Sequence, residues 1–167
     1  MAKPSPAPKP RASAVQARGR CGCGAVRFEI DVPAVWAWHD HGEASRRATG
    51  GAYATFVGSW RSRFRWLAGE EHLTRYEDVA ARTTRSFCGQ CGSPVLYERA
   101  RSPKMVNIPR GLFTGRTGRE PRYHMNIGEQ ADWTWAGEAL GPLKGYPGVM
   151  IERTRRKPRT LTPDDTL

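Results

Sequence analysis

The fold is decided by Cys21-Gly-Cys-Gly-Ala-Val-Arg-Phe-Glu-Ile-Asp-Val32 and by its distant counterpart, Arg85-Ser-Phe-Cys-Gly-Gln-Cys-Gly-Ser-Pro94. These two stretches contain all four cysteines of the chain, arranged as CGC and CGQC. Structural zinc prefers four thiolate ligands in a tetrahedron, and two short turns from distant segments can supply them. The sequence therefore predicts one structural zinc ion, held by Cys21, Cys23, Cys88 and Cys91.

Two other interpretations of the cysteines remain open at this point: a pair of disulfides, or a redox-active CxxC. A disulfide across CGC is strained, and no hydrophobic signal segment follows the first basic residues. A thioredoxin-like motif belongs in a βαβ setting, which the sequence pattern does not indicate. Zinc is the favoured interpretation, and a reducing, cytoplasmic location is expected. No apolar stretch approaches the roughly 20 residues of a membrane helix.

Outside the cysteine turns, alternating apolar and polar residues predict a mainly β domain. Val26, Phe28 and Ile30 would share one face of a strand. Further strands are predicted at 52–57, 64–67, 73–77, 83–87, 94–97, 105–108 and 132–135, with a short helix at 43–48. Frequent glycines between these segments supply the turns.

The two ends of the chain differ in composition from the middle. Of the formal net charge of +11, residues 1–20 contribute five positive charges and residues 152–167 a net two, which leaves +4 for the rest. Three regions are therefore predicted: a disordered basic tail at 1–19, a zinc-binding β domain at 20–151 and a flexible basic tail at 152–167. Such tails are usually only solvated, and weak binding to nucleic acid or another polyanion is the functional alternative.

Both cysteine segments, together with Arg46-Arg-Ala-Thr-Gly-Gly-Ala-Tyr-Ala-Thr-Phe56, resemble the glutathione-dependent formaldehyde-activating enzyme family (the GFA/CENP-V domain). Pro121-Arg-Tyr-His124 and Trp133 extend the resemblance, which covers roughly 20–148. It implies an Mss4-like fold of small antiparallel sheets clamped by a structural zinc. It also implies the carbon–sulfur lyase class, which acts on thiol–aldehyde adducts such as S-hydroxymethylglutathione, so a small thiol or aldehyde-derived substrate is expected.

The resemblance further implies a second, catalytic zinc, and here the sequence departs from the family. The family's Cys-His-Cys-x-x-Cys segment precedes the Arg-Arg pair, where this chain reads Asp40-His-Gly-Glu-Ala-Ser45. The three cysteines thus fall on Asp40, Gly42 and Ser45, and only the histidine, His41, is kept. We expect the catalytic ion to be absent and the activity to be altered or lost.

Three interpretations of this segment stay open. The simplest is a polar, partly exposed loop. In an extended segment, His39, His41 and Glu43 would share one face and form a remodelled metal site. Alternatively, His41 acts as a metal-free acid or base, oriented by a neighbouring carboxylate. The candidate catalytic residues are Asp40, His41, Glu43 and Ser45. The candidate functions are a lyase-type enzyme with a changed pocket, or a non-catalytic zinc-stabilised module that binds a small molecule, a protein or a polyanion.

Overall fold

The computed structural model describes residues 15–134 and 140–152. Within these ranges the chain forms twelve strands and one α-helix, α1 (Glu43–Thr49). The strands are β1 (Gln16–Arg20), β2 (Arg27–Asp31), β3 (Trp36–Asp40), β4 (Ala54–Trp60), β5 (Phe64–Ala68), β6 (Leu73–Asp78), β7 (Thr83–Cys88), β8 (Pro94–Arg99), β9 (Met105–Pro109), β10 (Tyr123–Met125), β11 (Leu140–Pro142) and β12 (Val149–Glu152). In the described part of the chain, no helix has the length and apolar character needed to cross a membrane.

The strands form two sheets. One has the order β1-β2-β5, and the other has nine strands in the order β11-β12-β10-β3-β4-β9-β8-β7-β6. Among the described strands, every pairing is antiparallel except that of β3 with β10. The predicted fold class, mainly β with antiparallel sheets, is confirmed.

The main core joins the inner faces of both sheets. The alternation in β2 places Phe28 and Ile30 inside, where both are fully buried. Phe28 stacks on Phe64 of β5 with ring centroids 5.6 Å apart, and its edge meets Phe113 at 5.4 Å. Buried residues of β4, β8 and β9 complete the cluster. Each large apolar side chain buried in this way contributes about 1.5–3 kcal/mol, which is why the alternation predicted β2 well.

The predicted domain boundaries need correction at both ends. β1 pairs with β2 along its whole length and buries Ala17, so the folded region begins before residue 20 and the predicted tail at 1–19 is too long. The inward positions of β1 are an alanine and a glycine, which carry too little apolar surface to mark a strand. At the other end β12 includes Glu152, one residue past the predicted boundary. Residues 1–14 and 153–167 lie outside the described residues.

Most of the other predicted elements are confirmed within a few residues, including the helix at 43–48, observed as α1. Gly50 follows the last residue of the helix, and its φ of 70° suits a residue without a side chain. The strand predicted at 132–135 is wrong where the structure describes it, because 132–134 form a turn, and residue 135 lies outside the described part. The sequence pattern does not predict β1, β3, β10, β11 or β12.

Candidate functional site

The four cysteine sulfurs lie together. Cys23 Sγ is 3.5 Å from Cys21 Sγ and 3.8 Å from Cys88 Sγ, and all four sulfurs, with that of Cys91, fall within 4.8 Å of one another. A tetrahedral zinc with Zn–S bonds of about 2.3 Å separates its sulfurs by roughly 3.8 Å. All four cysteines are free thiols. The donor set and its spacing therefore fit a structural zinc, and the disulfide interpretation does not describe this arrangement.

Hydrogen bonds hold the two cysteine turns in place. The first turn connects β1 to β2, and the second connects β7 to β8. The Val26 N–H donates to Cys21 Sγ at 3.3 Å. Ser93 links the turns, because its Oγ accepts from the Gly22 N–H at 2.9 Å and lies 3.3 Å from Cys91 Sγ. Neighbouring backbone and hydroxyl groups therefore orient the sulfurs toward a common centre.

The thiol pKa values at this cluster shift in opposite directions. The hydrogen bond with the Ser93 side chain, helped by the backbone of Ser93 and of Cys23, lowers the pKa of Cys91 to about 5. At Cys23, the backbone of Ala25 favours the thiolate, but the side chains of Cys21 and Cys91 outweigh it and raise the pKa of Cys23 to about 11. Sulfurs packed this closely resist becoming anionic together. A dication at their centre relieves that repulsion, which is how metal binding couples to folding.

The three positions that correspond to the family's catalytic cysteines converge at the end of β3 and the start of α1. Asp40 Oδ2 accepts a 2.8 Å hydrogen bond from Ser45 Oγ. Asp40 Oδ1 accepts from the Gly42 N–H at 3.0 Å and from Asn126 Nδ2 at 2.7 Å. Asp40 and Ser45 are both buried. Sequence reasoning missed Asn126, because nothing in the local pattern shows that the end of β10 packs against this segment.

This donor set does not fit the catalytic zinc of the family. Gly42 has no side chain, and the hydroxyl proton of Ser45 is already donated to Asp40. Asp40 offers the one anionic group among the three positions, and hydrogen bonds engage both of its oxygens. Zinc needs three protein ligands to be held in a catalytic site. The three positions therefore supply too few ligands to hold the family's catalytic ion.

His41 is oriented by another histidine and not by the expected carboxylate. Its Nε2 lies 2.9 Å from His124 Nδ1, and the two rings stack with centroids 5.2 Å apart. His41 is fully buried. Burial lowers the pKa of His41, and the positive potential of His124 and Arg46 adds to this, against the opposing effect of Asp40. These effects favour the neutral form of the His41 imidazole over the charged form.

The expected group of His39, His41 and Glu43 does not form. β3 ends at Asp40 and α1 begins at Glu43, so the segment is not extended and the alternation is broken. The Glu43 side chain is more than half exposed and pairs with Arg47 at 2.7 Å. His39 instead lies beside His124, with ring centroids 4.8 Å apart. The catalytic roles suggested for the four candidate residues stay predictions.

A cavity of about 260 Å³ lies next to the hydrogen-bonded group of Asp40 and Ser45. Arg85 connects the two: its guanidinium lies 4.3 Å above the ring of Tyr97, and its Nη2 donates to Ser45 Oγ at 3.3 Å. The cavity walls are largely apolar and include Phe56, Tyr76, Leu96 and Pro109. The cavity thus combines a cation at one side with aromatic and aliphatic walls.

A cluster of four cysteine sulfurs joins two turns of this mainly β domain and could hold a metal ion. Residues 16–129 match the family described as glutathione-dependent formaldehyde-activating enzyme (GFA). The chain belongs to this family, as the motif resemblance predicted. A crystal structure of a Rhodobacter sphaeroides protein from a structural genomics programme is similar, with 26% identity and a TM-score of 0.51 over 59% of this chain and 89% of that one. Comparison with curated proteins found no significant match.

Proposed function

We propose that this chain is a GFA-family protein that binds a small thiol or aldehyde-derived molecule, with the family's zinc-dependent lyase activity lost or altered. One observation carries the proposal: both oxygens of the Asp40 carboxylate, at the first of the three positions where the family resemblance implies cysteine, accept hydrogen bonds, which come from Gly42, Ser45 and Asn126. A carboxylate engaged in this way holds the end of β3 against α1 without an ion. The activation of a thiol or a carbonyl by an open zinc would therefore be missing here.

The four cysteines would hold a structural zinc. Four thiolate ligands fill the tetrahedron and leave no position for substrate, so this ion would stabilise the fold and take no part in a reaction. Its ligands Cys21 and Cys88 belong to segments 67 residues apart that meet in space. Binding of a structural zinc is worth about 10–16 kcal/mol in small zinc domains, so the ion would contribute strongly to folding.

The cavity beside Ser45 is the proposed binding site. Arg85 places a permanent positive charge at its wall, and Tyr97 and Phe56 supply apolar surface. A small molecule with a carboxylate and a short apolar part complements such a wall, because arginine binds carboxylates through two parallel hydrogen bonds. Thiol–aldehyde adducts of a carboxylate-bearing thiol meet this description.

Two further interpretations of the same residues remain as proposals. If a reaction persists, it would use Asp40, His41, Glu43 and Ser45 without zinc, with His41 as the acid or base. The non-catalytic alternative is a binding module for a protein or, through the basic tails, for a polyanion. A cytoplasmic location is part of the proposal in either case.

The proposal can be tested with glutathione and formaldehyde. We expect saturable binding of glutathione or its hydroxymethyl adduct by calorimetry, and no acceleration of adduct formation above the spontaneous rate by exchange NMR. Arg85→Gln should weaken binding about tenfold or more, because a hydrogen bond to a charged group is worth roughly 1.5–3 kcal/mol.

Arg75→Gln is the matched control. Arg75 is exposed on β6, lies opposite Ser86 of β7 and does not line the cavity, yet its loss removes the same charge. This variant should bind like the parent. Adduct formation by the parent at enzyme-like rates would overturn the claim of a disabled site. Equal weakening by both variants would overturn the assignment of the cavity.

A further inference from the structure

Three residues from three neighbouring strands form a second cluster of metal-ligating side chains. His39 of β3 and His124 of β10 are register partners in the parallel pair of strands. Glu152 ends β12, which pairs with β10 on its other side. His124 Nε2 lies 3.6 Å from Glu152 Oε1, and one ligand atom from each of the three residues falls within 4.8 Å of the others. His124 and Glu152 are buried.

Each histidine of the cluster has a partner on its other ring nitrogen. His39 Nδ1 lies 2.9 Å from Thr55 Oγ1, its register partner on β4, and His124 Nδ1 lies 2.9 Å from His41 Nε2. Such contacts orient a metal-binding imidazole and select the nitrogen that faces the ion. In both rings they select Nε2. These Nδ1 contacts hold both imidazoles in the orientation that a metal site requires, which simple packing of two histidines would not do.

The backbone of Glu152 is also held by its surroundings. The Glu152 N–H donates to Arg122 O at 3.1 Å, and Arg122 Nη2 donates to Glu152 O at 3.2 Å. These bonds fix the last residue of β12 beside β10. A divalent cation between Glu152 and the two imidazoles would place a positive charge beside this buried carboxylate, and such a charge stabilises a carboxylate that is out of water.

We propose that His39, His124 and Glu152 bind a divalent first-row transition metal, with zinc as the ion expected in a zinc-replete solution. Two imidazoles and one carboxylate are a common ligand set for zinc and for iron(II). Three protein ligands leave a coordination position open, in contrast to the four cysteines. The protein would then carry two ions of different kinds, one with four protein ligands and one with three.

This site is distinct from the position of the family's catalytic cysteines. Successive residues of a strand point to opposite faces, so His39 and Asp40 lie on different sides of β3. Asp40 contacts Ser45 and Asn126, whereas His39 contacts Thr55 and the His124 ring. Glu152 also lies beyond the residues 16–129 that match the family.

Zinc analysis of the intact protein tests the proposal. After equilibration with buffered zinc and removal of the excess, the parent should hold two equivalents per chain. Glu152→Gln keeps the shape of the side chain but removes its charge, and it should hold one equivalent fewer. Glu120→Gln makes the same charge change at an exposed position outside the cluster, so it should hold as much zinc as the parent.

A milder variant keeps the test decisive if Glu152→Gln does not fold. Thr55→Val removes only the hydroxyl beside His39 and should weaken zinc binding at this site about 10–100-fold. Cobalt(II) substitution separates the two ions, because thiolate-to-cobalt charge-transfer bands come from the cysteine cluster alone. The variants at 55 and 152 should bind less cobalt while keeping those bands. Equal metal content in the parent and Glu152→Gln, or unchanged affinity in Thr55→Val, would overturn the proposal.

Discussion

Ser45 Oγ donates a 2.8 Å hydrogen bond to Asp40 Oδ2 and thereby joins the first turn of α1 to the end of β3. The resemblance to the GFA family implies cysteine ligands of zinc at both positions. In this chain a hydroxyl and a carboxylate, with Asn126 on the second carboxylate oxygen, make the connection that an ion would otherwise make. The segment therefore converges through hydrogen bonds among its own side chains and Asn126.

Ser45→Ala should destabilise the protein by about 1.5–3 kcal/mol, because it leaves a buried carboxylate oxygen without its donor. Thermal or urea unfolding measures the effect. Ser86→Ala is the control: Ser86 is also buried, but its hydroxyl has no hydrogen-bond partner among the described residues. Its change should be smaller, about 1 kcal/mol or less. Equal effects of the two substitutions would show that the bond to Asp40 contributes little.

Cys23→Ser should abolish zinc binding at the cysteine cluster and cooperative unfolding with it. Cys23 is exposed, so a change in packing cannot explain a large effect, and an ordinary surface substitution changes stability by only about 0.5 kcal/mol. Unfolding of the parent in the presence of a chelator provides the comparison. The parent and the variant should then behave alike. Normal zinc content and normal melting of the variant would rule out the structural ion.

The triple change Asp40→Cys, Gly42→Cys and Ser45→Cys should add about one zinc equivalent to that of the parent. Gly42 has φ of −56°, so a side chain there is not strained by the backbone. A Cβ at Gly42 would come within 3.1 Å of Asn126 Nδ2, which must shift slightly. The double change at 40 and 45 should bind the ion more weakly, since it supplies two thiolates. A folded triple variant with the zinc content of the parent would contradict the prediction.

Removal of residues 1–14 should leave the melting temperature almost unchanged, whereas removal of residues 1–19 should lower it sharply. The longer deletion takes away most of β1, exposing the edge of β2 and the ring of Phe28, which Gly19 covers. Calorimetry of both truncated proteins provides the measurement. Equal melting temperatures would mean that β1 adds nothing to the stability of the small sheet.

Polyanion binding should depend on salt if the basic tails are responsible for it. The affinity of the parent for DNA or RNA should then fall steeply with rising salt. The slope of log affinity against log salt concentration reports how many phosphates are neutralised. Deletion of residues 1–14 should flatten this slope by about 0.7–0.9 for each phosphate that the tail no longer neutralises. Fluorescence anisotropy at several salt concentrations measures both. If the parent protein does not bind DNA or RNA at about 50 mM salt, the prediction that the basic tails bind polyanions is wrong.

The cysteine quartet and several strands were predictable because their signals are local. CGC and CGQC each place two ligands within one turn, and the alternation around Phe28 reports a strand with one buried face. β1 escaped prediction because Ala17 and Gly19, its inward residues, are small. The backbone of β1 forms hydrogen bonds with the edge of β2 whatever the size of its side chains. Backbone pairing therefore defines this strand, and the hydrophobic pattern of the sequence does not show it.

The replacement of the three family cysteines can be recognised from the residues at 40, 42 and 45 without any structure. Which side chains surround these positions depends on β10 and β12, which come near β3 only when the large sheet forms. That approach brings Asn126 to Asp40, and His124 with Glu152 to His39. The separations along the chain exceed 80 residues, and no periodic signal spans such distances. Hydrogen-bond geometry between strands, which exists only in the folded sheet, therefore determines which side chains meet.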